Sequence, residues 1–250
     1  MKNQFNLNSI LAISKRELVN YFATPVAYVF LVIYLALSGV FTFYLGGFYE
    51  RGQADLQSFF NFHPWLYLLL IPALSMRLWS EERKTGTIEL LMTLPISIVD
   101  AVIGKFLAAW AFIGVALVLT FPIWITVNYL GDPDNLVIFA GYIGSFLMAG
   151  SYLAVGSCIS AITKNQVIAF IVGVVLCLVF VLSGFPIVLD FFRGWLPLFV
   201  VDSISYLSFL THFNATMKGI IDLRDIFFFV SFIACWLFAN TVLVEMKKAD

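Results

Sequence analysis

The chain has 250 residues, 62% hydrophobic and 12% charged, and its 14 Lys and Arg against 15 Asp and Glu leave a net charge of −1. Soluble domains carry roughly 25% charged residues, so an ordinary soluble fold is excluded, as is a broad basic surface for nucleic acid. Cys158, Cys177 and Cys235 sit in apolar runs without close His or Cys neighbours, which argues for small buried side chains and against a zinc or redox site.

The N-terminal stretch "MKNQFNLNSILAISKREL" lacks the continuous apolar core and cleavage site of a signal peptide and is expected to stay on the protein. Residues 9–22 place Leu11, Leu18, Tyr21 and Phe22 near one helical face, and Ser14, Lys15, Glu17 and Asn20 near the other. That pattern suits an amphipathic helix in the membrane surface or packed on the domain's own flank. Pro25 then breaks the chain or opens the next helix.

A membrane-crossing helix needs about 20 apolar residues, and six runs qualify, at 26–45, 62–78, 101–130, 136–162, 167–189 and 226–244. The expected fold is therefore an all-α integral membrane protein of six transmembrane helices forming one domain over residues 1–250. Pro64 and Pro72 lie in the second run, and "GDPDN" after the third is a turn signal. In the fourth, Gly141, Ser145 and Ala149 recur at a spacing of four, leaving a face that another helix can approach closely. Residues 185–225 are too apolar for a free loop, yet Pro186, Gly194 and Pro197 interrupt them. Two short re-entrant or interfacial helices fit better than a seventh span, because irregular backbone at membrane depth must be covered.

With six spans and the N-terminus inside, the cytoplasmic side holds Lys2, Lys15, Arg16, Arg77, Arg83, Lys84, Lys105, Lys164, Lys247 and Lys248, against Arg51, Arg193, Lys218 and Arg224 outside. This positive-inside bias puts both termini in the cytoplasm of a cell whose inner membrane the chain crosses several times.

It also puts "SEERKTGTIELLMTLPIS", residues 80–97, on the cytoplasmic face. Ser80 is placed to cap a helix whose positive end Glu81 and Glu82 would suit; Gly86 and Thr87 interrupt, and Thr87 reads as a second cap before the Leu-rich run. Pure anchoring needs only Lys and Arg, whereas Glu81, Glu82, Arg83, Lys84 and Glu89 mix signs. The better reading is a short amphipathic helix that needs lipid or a protein partner.

Catalysis is harder to assemble. His63 and His212 are isolated, so paired glutamates have no metal-holding histidines. Ser157 and Ser160 have no histidine base and read as helix-packing residues, as do Thr120, Thr126, Asn128 and Ser151. Ionisable residues are scarce within the spans, so an apolar or lipid-like cargo is expected in preference to an ion.

The stretch "EERKTGTIELLMTLPIS", with "GKF" at Gly104–Phe106, closely resembles the signature of ABC-2 type transporter permeases, in the branch of gliding-motility and copper-maturation permeases. "SKRELVNYFATPVAYV" and "HFNATMKGIIDLRD" resemble the first-span approach and the last-span lead-in of the same family. The resemblance implies the transmembrane subunit of a type V ABC exporter with no ATPase activity of its own. Glu81, Glu82, Arg83, Lys84, Gly86, Thr87, Glu89 and Pro95 then fall on the coupling helix that docks on the ATPase, Ser9–Phe22 with Lys15, Arg16 and Glu17 on the connecting interfacial helix, and Phe185–Asp225 on an external re-entrant hairpin.

No phosphate-binding loop occurs in the chain, so no cofactor is expected here. ATP and Mg belong to a separate ABC ATP-binding subunit, and the remaining partners implied are membrane lipid and a second permease copy in a homo- or heterodimer, with no nucleic acid. Two other classes stay open: an ATPase-driven envelope scaffold or mechanotransmitter that transports nothing, and an ATP-independent secondary carrier, the latter disfavoured by the absence of repeated halves.

Overall fold

The structure, a computed structural model, describes residues 6–89, 96–194, 196–220 and 222–246. Among these residues all regular structure is helical. Helix α1 (Leu7–Ala23) is capped by the Asn6 side chain and ends at extended Thr24, after which Pro25 takes the first turn of α2 (Pro25–Val40). That position suits proline, whose missing N–H would be unbonded there anyway. A π-helical stretch, Phe41–Leu45, prolongs α2.

The short α3 (Gln57–Asn61) leads into α4 (His63–Ser75), and after a break at Met76 comes α5 (Arg77–Thr85). Next follow α6 (Ile98–Val118), capped by Ser97, and α7 (Phe121–Leu130). Helix α8 (Asn135–Ile162) is capped by Asp134, and α9 (Gln166–Leu182) by Asn165. Three short helices, α10 (Pro186–Arg193), α11 (Leu198–Tyr206) and α12 (Phe209–Met217), precede the final α13 (Leu223–Met246).

The axis of the molecule is α8, which packs against α4, α5, α6, α9, α12 and α13. Its small residues make this possible. A Cβ on Gly144 would stand 2.6 Å from Thr216 Cγ2, and one on Gly156 would collide with Ser75, so both glycines set how closely backbones approach. The small-residue face expected in this helix is itself occupied, with Phe60 of α3 against Gly141 and His63 and Tyr67 of α4 on Ser145.

Around the axis the outward faces are apolar: Val29, Val32 and Ile33 on α2, Ile168, Ile171, Val175 and Val179 on α9, and Phe227, Val230 and Phe238 on α13 are all exposed. Contiguous apolar surface of this extent calls for lipid as the solvent. Four helical stretches are long and apolar enough to cross a bilayer: Pro25–Leu45, Ile98–Leu130, Asn135–Ile162 and Leu223–Met246. A fifth is formed if α9 and α10, bent by 74° at their junction, count as one. The protein is a multi-pass membrane protein of helical type.

Several expectations need correction. The run at 62–78 is not one apolar helix: it splits at Met76, carries Pro72 inside α4, and passes directly into the charged segment. Helix α4 is mostly covered by protein, with His63, Leu66, Tyr67, Leu68, Ile71 and Leu74 buried, and only Trp65 and Leu69 keep large apolar side chains on the surface, so most of its hydropathy answers to neighbouring helices. The run at 167–189 ends as a straight helix at Leu182, because Gly184 and Pro186 bend it. The 185–225 stretch holds three short helices instead of two, of which α12 is packed on α8.

Neither histidine is isolated. His63 Nδ1 lies 2.6 Å from Ser145 Oγ, which also meets Tyr67 Oη at 2.7 Å. His212 Nδ1 lies 2.6 Å from Asp225 Oδ1 and its Nε2 is 2.9 Å from the Tyr206 carbonyl, tying α12 to α11 and α13.

Candidate functional site

The charged segment begins four residues earlier than Ser80 suggested. Helix α5 starts at Arg77, so Ser80 is internal and donates back to the Met76 carbonyl, while Glu81 and Glu82 lie in the second half of the helix. The amides at the start of α5 are capped by another helix: Ser160 Oγ, near the end of α8, accepts from Trp79 N and Ser80 N at 3.1 Å each and donates to the Met76 carbonyl at 2.8 Å. A single hydroxyl therefore serves two amides of the first turn of α5 and the Met76 carbonyl at once. Ser157 accepts from Asn240 Nδ2 at 2.8 Å. Both serines join helices, as their lack of a base suggested.

Gly86 ends α5 at φ +75, a left-handed conformation that glycine adopts without strain. Residues 87–89 are helical again, but Thr87 is already inside that turn and its hydroxyl reaches back to the Glu82 carbonyl at 3.4 Å instead of capping forward. Thr85 donates to the Glu81 carbonyl at 2.9 Å. Pro95, with residues 90–94, lies outside the described residues.

Of the predicted residues in this segment, two turn inward. Arg83 Nη1 donates to the Ala161 carbonyl at 2.8 Å, a bond to the negative end of α8. Glu82 Oε1 meets Lys105 Nζ at 2.7 Å. Glu81, Lys84, Gly86, Thr87 and Glu89 are exposed.

Lys105 is the residue that the sequence reading did not select. It stands in the second turn of α6, 3% exposed, and its ammonium also lies 3.3 Å from Glu17 Oε1 on α1 and 5.5 Å from the centre of the Trp79 ring. Arg16 adds a second cation to Glu17 at 2.7 Å. Positions 17, 82 and 105 thus form one ion cluster that joins α1, α5 and α6. Burial by itself pushes the Glu17 carboxyl up, but Lys105 and Arg16 together outweigh it and hold the group below its ordinary value. The available signal was a lone lysine near the start of an apolar helix, a position that is costly unless paired.

The expected face of α1 holds toward its end, where Leu18, Tyr21 and Phe22 pack on the core and Lys15 and Asn20 are exposed, but Leu11, Ser14 and Glu17 depart from it. Ile10 and Ile13 are buried and Leu11 is exposed; Ser14 donates to the Gly104 carbonyl at 3.0 Å, and Glu17 points inward to Lys105. Gly104 makes the contact possible, since a Cβ there would lie 2.8 Å from Ile13 Cγ2. The helix packs along α6, so its inner face carries the polar groups that α6 offers and its outer side keeps Lys15 and Arg16 exposed. Asp100 extends the seam by accepting from Asn6 N at 3.3 Å.

Taken together, the charged segment is clamped at one end by Ser160, Arg83 and Lys105, and presents its other end, from Lys84 through Glu89, outward. Short bonds tie the segment to α1, α6 and α8. Residues 62–244 match a family model described as "ABC-2 family transporter protein", a span that includes α5, Lys105 and Ser160. No curated protein matches the chain.

Proposed function

Because the chain belongs to the ABC-2 family of transporter proteins, whose members generally work with an ATP-binding subunit, we propose that residues 80–97 are the coupling segment onto which that subunit docks. The chain would be the transmembrane permease subunit, pairing with a second permease copy and two ATPases that hold the ATP and Mg. Six spans follow if α4 and α5 are counted as the second and α9 as the fifth. On that count the charged segment is cytoplasmic, α1 lies in the inner-leaflet surface of the cytoplasmic membrane, and α10 to α12 form an external re-entrant region.

The observation that carries this reading is the Lys105 cluster. A loop that served only as a positive-inside anchor has no need of a buried ammonium fixed to two carboxylates on two other helices. A transmission joint does, because coupling travels through rigid contacts with discrete arrangements. The exposed residues Lys84, Gly86, Thr87 and Glu89 supply the docking surface, and Glu82 with Arg83 the joint behind it. The apolar, ion-poor spans support export of an apolar or lipid-like cargo.

The test is affinity capture of the tagged protein from its native membrane. Wild type is expected to bring down an ABC ATPase, and Lys84→Glu combined with Glu89→Lys to lose it while remaining inserted. Lys105→Met is expected to keep the ATPase bound but to abolish cargo-stimulated ATP hydrolysis. Capture of no ATPase by wild type sinks the proposal.

A further inference from the structure

A cavity of about 250 Å³ opens beside the Lys105 cluster, between α1, α2, α4, α5 and α6. Its lining is divided. Val26 and Ala27 from the first turn of α2, with Ala73 and Leu74 from the last turn of α4, make an apolar wall, while Arg77, Glu81 and Glu82 on α5 make a charged one. The apolar wall belongs to the membrane-embedded helices and the charged one to the segment at the membrane surface. A ligand filling it would therefore be an amphiphile, headgroup toward α5 and chains toward α2 and α4.

The charges on the lip show which headgroup. Lys105 is already matched by Glu17 and Glu82. Arg77 and Glu81 stand one helical turn apart, a spacing at which side chains on one face normally meet. Yet among the described residues they make no ion pair with each other, and neither side-chain charge has another partner. Glu82, after giving Oε1 to Lys105, leaves Oε2 without a donor among those residues. The lip thus offers an uncommitted guanidinium and an uncommitted carboxylate side by side, with a further carboxylate oxygen behind.

We propose that this cavity binds a zwitterionic phospholipid of the phosphoethanolamine class, its phosphate on Arg77 and its primary ammonium donating to Glu81. Guanidinium is the matched donor for a phosphate. A primary ammonium has N–H bonds to give to carboxylates, whereas a quaternary ammonium has none. An anionic lipid would leave Glu81 unmatched and bring its charge close to Glu81 and Glu82. The proposal rests on the membrane placement given above, with α5 at the bilayer surface.

Native mass spectrometry of the full-length protein, titrated separately with phosphatidylethanolamine, phosphatidylcholine and phosphatidylglycerol of identical chains, reads the preference directly. Phosphatidylethanolamine is expected to bind about tenfold more tightly than either, the worth of one charge-assisted contact. Arg77→Gln and Glu81→Gln should each erase that advantage. Both side chains lack protein partners, so unchanged thermal unfolding verifies that these variants fold. Soluble glycerophosphoethanolamine at matched concentration is expected not to displace the lipid.

Equal binding of the three lipids, a preference untouched by both variants, or displacement by the soluble headgroup each overturns the assignment. The assay needs no ATPase. Absence of the lipid preference in the wild-type protein with ATPase capture intact refutes this site alone, and the reverse result refutes the coupling reading alone.

Discussion

Replacing Lys105 by Met removes the ammonium that lies 2.7 Å from Glu82 and 3.3 Å from Glu17, while keeping most of the side-chain volume. Two carboxylates then face one another across the gap, with Arg16 left to hold Glu17 alone. Each charge-assisted hydrogen bond is worth about 1.5–3 kcal/mol, and removing one partner of a buried pair costs about 3–5 kcal/mol. Because the two carboxylates keep 16% and 20% of their surface exposed, water recovers part of that loss. The expected cost is about 2–4 kcal/mol, the lower part of those ranges.

At roughly 2–4 °C per kcal/mol for a chain of this size, Lys105→Met should lower the unfolding midpoint of the detergent-solubilised protein by roughly 5–15 °C. Adding Glu17→Gln and Glu82→Gln should restore much of the loss, because an emptied ion cluster with no stranded charge is tolerated far better than half of one. The decisive quantity is the non-additivity. A midpoint for Lys105→Met within about 2 °C of wild type, or strictly additive effects across the cycle, would mean that the three charges do not act together and that no rigid joint exists.

Ser160→Ala leaves Trp79 N and Ser80 N without their acceptor and is expected to cost about 1–3 kcal/mol, with faster amide exchange at the start of α5; unchanged exchange there refutes the capping role. Gly86→Ala forces a Cβ into φ +75 at about 1–2 kcal/mol, a strain that should weaken ATPase capture more than it lowers the unfolding midpoint. The acid response follows from Glu17, whose carboxyl is held below its ordinary value of 4.5 in the fold. Its contribution is complete above that value and is lost as pH falls through the lower folded one. The difference in unfolding midpoint between wild type and Glu17→Gln should therefore hold steady at pH values above 4.5 and close as pH falls below it; a difference that vanishes already at neutral pH contradicts the pairing.

Hydropathy along the chain was enough to place most of the spanning helices. The runs at 26–45, 136–162 and 226–244 agree with Pro25–Leu45, Asn135–Ile162 and Leu223–Met246 to within a few residues, since a helix that must satisfy its own backbone in lipid needs little outside help. The mixed-sign stretch was also legible as a charged helical segment between apolar runs. What the local pattern misjudged was anything decided by a neighbour. Ser80 looked like a cap, but α5 takes its cap from Ser160, eighty residues away in the chain. Ser14 and Glu17 looked like the outer face of α1, but α6 presents the Gly104 carbonyl and Lys105 to them, so they face inward.

The chain's own residues thus determine its membrane class, its all-helical build and the existence of a charged segment between apolar runs, because each is a sum over local preferences. Tertiary structure alone decides that positions 17, 82 and 105 share one set of charges, that His212 meets Asp225, and that Arg77 and Glu81 line one cavity without an ion-pair partner among the described residues. The reason is electrostatic. A charge buried among apolar helices must find its partner across space, and the separation that matters is the few ångströms between helices, not the distance along the chain.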